Sequence, residues 1–187
     1  MRPVLSAKSG SEETVWDSTY DDPSADTVFV SSDNVYFRAH GWQLRKKSGF
    51  VADMFEVATH GDMRESPLSL DAPASTVRIF LDAMFISGNP SIHTDPKEFK
   101  VVLALCDRFQ SPAVEDKLFD SLTVSPIVKR FPFLFFVLAA KKDRPQLAVS
   151  AVAASDNGSR RRFLDKWTAS EVDDVGGRYF IALLKAV

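Results

Sequence analysis

The sequence predicts an α+β fold, a small mixed sheet with a helical cluster followed by an all-α extension. Three observations carry this. Two short apolar runs, Thr27–Val30 and Val35–Ala39, flank the turn-forming Ser31-Ser32-Asp33-Asn34, which is the pattern of a β-hairpin. After His40 the apolar period lengthens to that of a helix, with Phe50, Val51, Met54, Phe55 and Ala58 recurring on one face. From about residue 123 onward the periodic signals are helical alone, punctuated by Pro126, Pro132 and Pro145.

Each element has a local reason. Residues 1–24 mix Ser, Glu, Asp, Lys and Gly with isolated Val15, Trp16 and Tyr20, which is the composition of a flexible tail. An aromatic contact from this tail to a partner or a second subunit is the alternative. In the second run of the hairpin Val35, Phe37 and Ala39 share one face, while Tyr36, Arg38 and His40 share the other, so one face goes inward. Residues 67–70 alternate as a further short strand. Next, Val77, Phe80, Leu81, Met84 and Phe85 stand at helical spacing, with Ser75 as the expected N-cap and Gly88 as a stop signal. Residues 91–93 are expected to form a small strand. Asp95-Pro96-Lys97-Glu98 then opens a helix: Asp95 caps, Pro96 takes the first position, where its missing N–H costs nothing, and Glu98 completes a capping-box-like pair.

That helix carries Phe99, Val101, Val102, Leu103, Leu105, Cys106 and Phe109, so little polar face remains and it belongs near the centre of the core. Phe80, Leu81, Met84, Leu103, Cys106 and Phe109 are expected to be almost fully buried. Ser111-Pro112 repeats the cap-then-proline signal ahead of Val114, Leu118, Phe119 and Leu122. Further on, Asp156-Asn157-Gly158-Ser159 reads as a loop. Gly176-Gly177 reads as a turn before a last helix with Phe180, Leu183, Leu184 and Val187 in register. No internal repeat of fixed period is evident.

Composition narrows the function classes. A chain of 187 residues is long enough for one sizeable core, or for a domain of about 100 residues with an extension. Fifteen Phe supply much apolar surface for burial. Net charge is −2 and the sequence pI is near 5.9, so no global basic field draws the chain to nucleic acid or an anionic membrane, and neither partner is expected. The basic clusters Arg45-Lys46-Lys47 and Arg160-Arg161-Arg162 lack interleaved aromatics and read as solvated faces. A single cysteine, Cys106, leaves no intramolecular disulfide, and with three scattered histidines it leaves no zinc-ligand set. No metal or cofactor is expected, and an intracellular location, cytoplasm or nucleus, suits the thiol usage. The first residues lack the apolar stretch of a signal peptide. The longest dense apolar run, 131–140, is broken by Pro132 and is half of the roughly 20 residues that a spanning helix needs.

The order of strand, short turn, Phe37-x-Ala39-His40, then Leu44, Ser48 and Asp53-Met54-Phe55 resembles the BTB/POZ domain, above all its fungal branch. Phe85-Ile86-Ser87-Gly88 is similar to the aromatic-x-Thr/Ser-Gly that ends the corresponding helix of that family. The resemblance implies a BTB/POZ domain over 25–122, with a three-stranded sheet against five helices, preceded by a tail over 1–24. By position, 123–187 resembles the BACK-like helical extension that follows many such domains. The family implies a non-enzymatic protein–protein interaction module that works by homo- or hetero-association.

Further implications attach to particular residues. In many dimeric BTB domains an Asp at the hairpin start faces a basic residue just after the strand-end histidine. Asp26 matches the first position, but the second is Gly41, so the charged pocket is incomplete. A weak or moderate homodimer, or hetero-association through the same surface, is expected from Asp26, Gly41, Trp42 and Arg45, with Trp42 the central anchor. The alternative for Trp42 is a core position under the hairpin. A second use in the family is docking onto a cullin scaffold as a substrate adaptor, often through an apolar-x-Glu motif. Here the loop reads Ser91-Ile92-His93-Thr94, with no Glu two residues after Ile92, so a cullin-facing role for Ser91, Ile92 and His93 is the alternative reading. His40 reads as a structural hydrogen-bonding residue, and Cys106 as a small core hydrophobe. Ser48 lacks a Gly-x-Ser-x-Gly elbow and reads as a local cap between two helices. A hydrolase of unknown substrate is the remaining alternative; it requires nucleophile, base and oxyanion donors converging in one cleft.

Overall fold

The computed structural model describes residues 14–57, 67–155, 175–179 and 181–182. The fold is α+β and mostly helical. Its four-stranded mixed sheet has the order β1-β3-β2-β4, with β1 Val15–Trp16, β2 Thr27–Val30, β3 Val35–Ala39 and β4 Leu68–Ser69. The hairpin expected from the alternation is present: β2 and β3 pair antiparallel, with Phe29 opposite Phe37. Its turn is closed by Ser31, whose N–H donates to the Val35 carbonyl at 3.0 Å and whose Oγ accepts the Val35 N–H at 2.9 Å. Asn34 takes the left-handed conformation, φ 60°, which Asn tolerates better than most residues.

The sheet has one strand more than the three expected, and that strand, β1, lies ahead of residue 25. Residues 14–24, expected as part of a flexible tail, are instead strapped to the sheet. β1 runs parallel to β3, with Val15 opposite Val35. The Asp17 N–H donates to the Tyr36 carbonyl at 2.8 Å, and the Arg38 N–H donates to the Tyr20 carbonyl at 2.7 Å. Trp16 packs on Tyr36 and lies under the Arg38 guanidinium, 3.8 Å from the ring centroid. Asp17 is buried, accepts the N–H groups of Thr19 and Tyr20, and pairs with Arg78. Tyr20 closes the strap by donating its hydroxyl to Asp82 at 2.7 Å. These partners lie some 20 to 60 residues away, so no local period announces them. Residues 1–13 lie outside the described residues.

Five helices follow the hairpin in the predicted order: α1 Gly41–Lys47, α2 Gly49–Val57, α3 Ala74–Phe85, α4 Pro96–Arg108 and α5 Pro112–Thr123. α6 Ile127–Arg130, α7 Pro132–Lys141 and α8 Pro145–Ala154 continue the chain as helices. Pro96, Pro112, Pro132 and Pro145 each stand in the first turn of their helices, where no intrahelical N–H is needed. Asp95 caps α4 as predicted, accepting the N–H groups of Lys97 at 2.7 Å and Glu98 at 3.0 Å. The reciprocal half of the box is absent, because the Glu98 carboxylate accepts the hydroxyls of Ser75 and Thr94. Ser75 does not cap α3. Pro73 holds the N-cap position, and the Ala74 N–H finds the Asp33 carboxylate in the hairpin turn at 2.8 Å. Residues 91–93 form no strand.

The core runs continuously from the sheet through α3, α4 and α5 into α7 and α8. Phe80, Leu81, Met84, Leu103, Cys106 and Phe109 are all buried, as the spacing predicts. Phe109 sits at the hub, its ring 5.9 Å from Phe29, 5.7 Å from Phe50 and 5.2 Å from Phe80. α4 nonetheless keeps an exposed stripe of Lys97, Lys100, Asp107 and Arg108. The later helices dock on α5 partly through charge. Arg144 pairs with Glu115 and Asp116, Lys142 pairs with Glu115, and the Arg144 guanidinium covers the Phe119 ring. Gly176 and Gly177, expected as a turn, lie within helical residues 175–179, with Gly176 at φ 68°. The expected loop at 156–159, the cluster at 160–162, and Phe180, Leu183, Leu184 and Val187 fall outside the described side chains.

Candidate functional site: the outward face of the first helix

α1 is a short amphipathic element with a fixed start. Asp26, at the head of β2, accepts the Gly41 N–H at 2.6 Å, which satisfies one of the donors that a helix N-terminus leaves open. The structure thus brings Asp26 and Gly41 together, but as carboxylate and backbone N–H rather than as an acid–base pair. Leu44 is fully buried and anchors the helix inward. Its last turn carries Arg45, Lys46 and Lys47, the sign that complements the negative end of the helix dipole.

Trp42 lies on the opposite face from Leu44. It is 49% exposed, so the core position is ruled out for it. The Lys46 ammonium stands 4.8 Å from the centroid of its ring and stacks the side chain against the helix. An exposed Trp beside long basic side chains has the composition of an interface anchor.

Beyond Arg45 the surface dips into a groove of about 470 Å³ between the end of α1, the start of α2, the α4–α5 connection and the first turns of α5. Four cationic side chains line it: Arg45, Lys46, Lys47 and Lys117. Two of these are tied to the end of α3. The Lys47 ammonium donates to the Met84 carbonyl, and the Lys117 ammonium donates to the carbonyls of Ala83 at 3.0 Å and of Ile86. These carbonyls belong to the C-terminal end of α3, which therefore takes its caps from two lysines on other helices. Burial lowers the Lys117 pKa, the neighbouring Lys47 lowers it further, and Asp82 opposes both. Arg45-Lys46-Lys47, read in the sequence as a solvated face, is thus partly a structural cap and partly a groove wall. No signal along the chain could have placed Lys117 beside Lys47.

The groove floor depends on two backbone features. Gln110 adopts φ 48° and its carbonyl accepts the Gly49 N–H at 3.3 Å. A Cβ on residue 49 would meet the Gln110 Oε1 at 3.0 Å, a contact that this flexible side chain relieves by a small shift. Ser48 is buried and caps α2: its Oγ accepts the Val51 N–H at 3.1 Å and donates to the Phe109 carbonyl at 2.5 Å. That is the capping role expected of it.

The remaining candidates lie elsewhere. Ile92 is 2% exposed, and its carbonyl accepts the Ser125 hydroxyl at 2.9 Å, so its side chain is part of the core and cannot serve as the apolar anchor of a docking loop. Ser91 and His93 on either side of it are exposed. The His40 ring faces Asp22 at 3.1 Å and fastens the strap. Cys106 is buried, and burial together with Glu115 and Asp107 pushes its thiol up to about 12. Among the described residues no three His, Cys, Asp or Glu side chains converge as metal ligands, and no helix is long and apolar enough to cross a membrane. No protein-family model matches the chain, and no curated protein matches its sequence.

Proposed function

We propose that the chain is a BTB/POZ-type interaction module over residues 25–122 with a BACK-like helical extension over 123–187, and that it acts without chemistry of its own, by homo- or hetero-association through the outward face of α1. The observation that carries this reading is the exposed Trp42, propped by Lys46 at the end of a helix whose other face is locked into the core by Leu44. The order of hairpin, two short helices, strand and three longer helices supports the family assignment. Since position 41 is a glycine that meets Asp26 with its N–H and not with a basic side chain, the seam has no acid–base pocket, and self-association through it is weak or moderate. Burial of Ile92 weighs against the cullin-adaptor alternative.

Sedimentation equilibrium of the wild type and of Trp42→Ala across a concentration series tests the reading. A concentration-dependent dimer that Trp42→Ala dissociates without unfolding is the expected result. A dimer that the folded variant leaves intact removes α1 from the account. A monomer at every concentration removes the homodimer and leaves hetero-association, for which a captured partner must be lost with Trp42→Ala.

A further inference from the structure

We infer that the basic groove beside α1 receives an acidic peptide segment of a partner protein. This deepens the reading of the chain as an interaction module and gives the partner a chemistry. The chain as a whole carries net charge −2, yet four cations line one concavity of about 470 Å³, and no carboxylate is among its described lining residues. Such a volume admits a few side chains of an extended segment.

The cations are preorganised as well as gathered. Lys47 and Lys117 are held by the α3 carbonyls, so little side-chain freedom remains to be lost when a ligand arrives. An ammonium has three N–H donors. Lys47 uses one on Met84, and Lys117 uses two on Ala83 and Ile86, so each keeps a donor for an incoming carboxylate. The two ammonium groups also repel one another, and the lowered pKa of Lys117 follows partly from that repulsion. Asp82 opposes it, but the shift of Lys117 stays downward. An anion placed between the two lysines relieves the repulsion and completes their hydrogen bonding.

The occupant is a peptide rather than a nucleic acid for reasons of lining. Among the described lining residues there is no aromatic ring for a base to stack on, whereas Ala83, Pro112 and Val114 supply apolar wall for the side chains between acidic positions. The net charge gives no wider field to hold a phosphate backbone.

The test is fluorescence anisotropy of the full 187-residue chain with a labelled ten-residue peptide of alternating Glu and Leu, and with its Gln/Leu counterpart. Saturable binding of the Glu peptide is expected, about tenfold or more tighter than the Gln peptide. The variant Arg45→Glu/Lys46→Glu should abolish it; Lys47 and Lys117, which cap α3, are left in place, and circular dichroism verifies the fold. The variant Lys100→Glu/Lys129→Glu makes the same charge change on exposed positions outside the groove and should retain binding. No saturable binding, equal loss in both double variants, displacement by inorganic phosphate at the peptide's own concentration, or tighter binding of a single-stranded oligonucleotide would each overturn the inference. The Trp42→Ala sedimentation result is separate: if association through Trp42 persists while the peptide fails, the groove falls and the module stands.

Discussion

Phe109→Ala is expected to destabilise the chain by about 3–5 kcal/mol, the range for truncating a buried Phe. The magnitude follows from the position. Phe109 is 1% exposed and its ring meets Phe29 on the sheet, Phe50 on α2 and Phe80 on α3, so the cavity would open where three elements converge and none could close it alone. Its carbonyl accepts the hydroxyls of Ser48 and Ser111, and these backbone contacts survive truncation, so the loss reports the ring. Phe109→Leu keeps most of the volume and forfeits the ring–ring geometry, for an expected cost of about 1–2 kcal/mol. Urea unfolding followed by circular dichroism measures both, with the slope unchanged if the denatured state is unaffected. A loss under about 1 kcal/mol for Phe109→Ala, or equal losses for the two variants, would refute the placement of this ring at the hub.

Three further outcomes follow from single contacts. Tyr20→Phe removes the hydroxyl that donates to Asp82 and should cost about 1 kcal/mol, with faster amide exchange at Asp17 and Arg38; unchanged exchange would mean that the strap is held by its other contacts, β1 and the Asp17–Arg78 and His40–Asp22 pairs, without this hydroxyl. The N–H groups of Glu98 and Lys97 hold the Asp95 carboxyl below the usual carboxylate range. Its contribution to stability is therefore present above about pH 4 and is lost as pH falls through the lower folded value, and an Asp95 titration by NMR at the ordinary value would contradict the cap. A thiol reagent at pH 8 should leave Cys106 unlabelled in the native chain and label it on unfolding; rapid native labelling would contradict its burial.

Much of this fold is legible along the chain where a reason is local. The hairpin shows in the alternation of Val35, Phe37 and Ala39, and α4 shows in Asp95-Pro96 followed by an apolar stripe. The elements that were not legible depend on partners far away in sequence. β1 has two residues and exists because β3 offers an edge and Arg78 and Asp82 offer partners to Asp17 and Tyr20. The cap of α3 comes from Asp33 in the hairpin turn rather than from the nearby Ser75. The candidate site divides in the same way. Trp42 and Arg45 stand out as residue types, but exposure alone decides between core and interface for Trp42, and Lys117 joins the groove only through folding.

The most direct test of the α1 face as the association surface is ¹⁹F NMR of chain labelled with 5-fluorotryptophan, with the Trp42 and Trp16 resonances among the three assigned by Trp42→Phe and Trp16→Phe. Trp16, packed under Arg38 on β1, serves as the internal reference. The account predicts that the Trp42 signal shifts or broadens as concentration is raised or a partner is added, while Trp16 changes less. A Trp42 resonance that stays fixed while sedimentation records an association would contradict it.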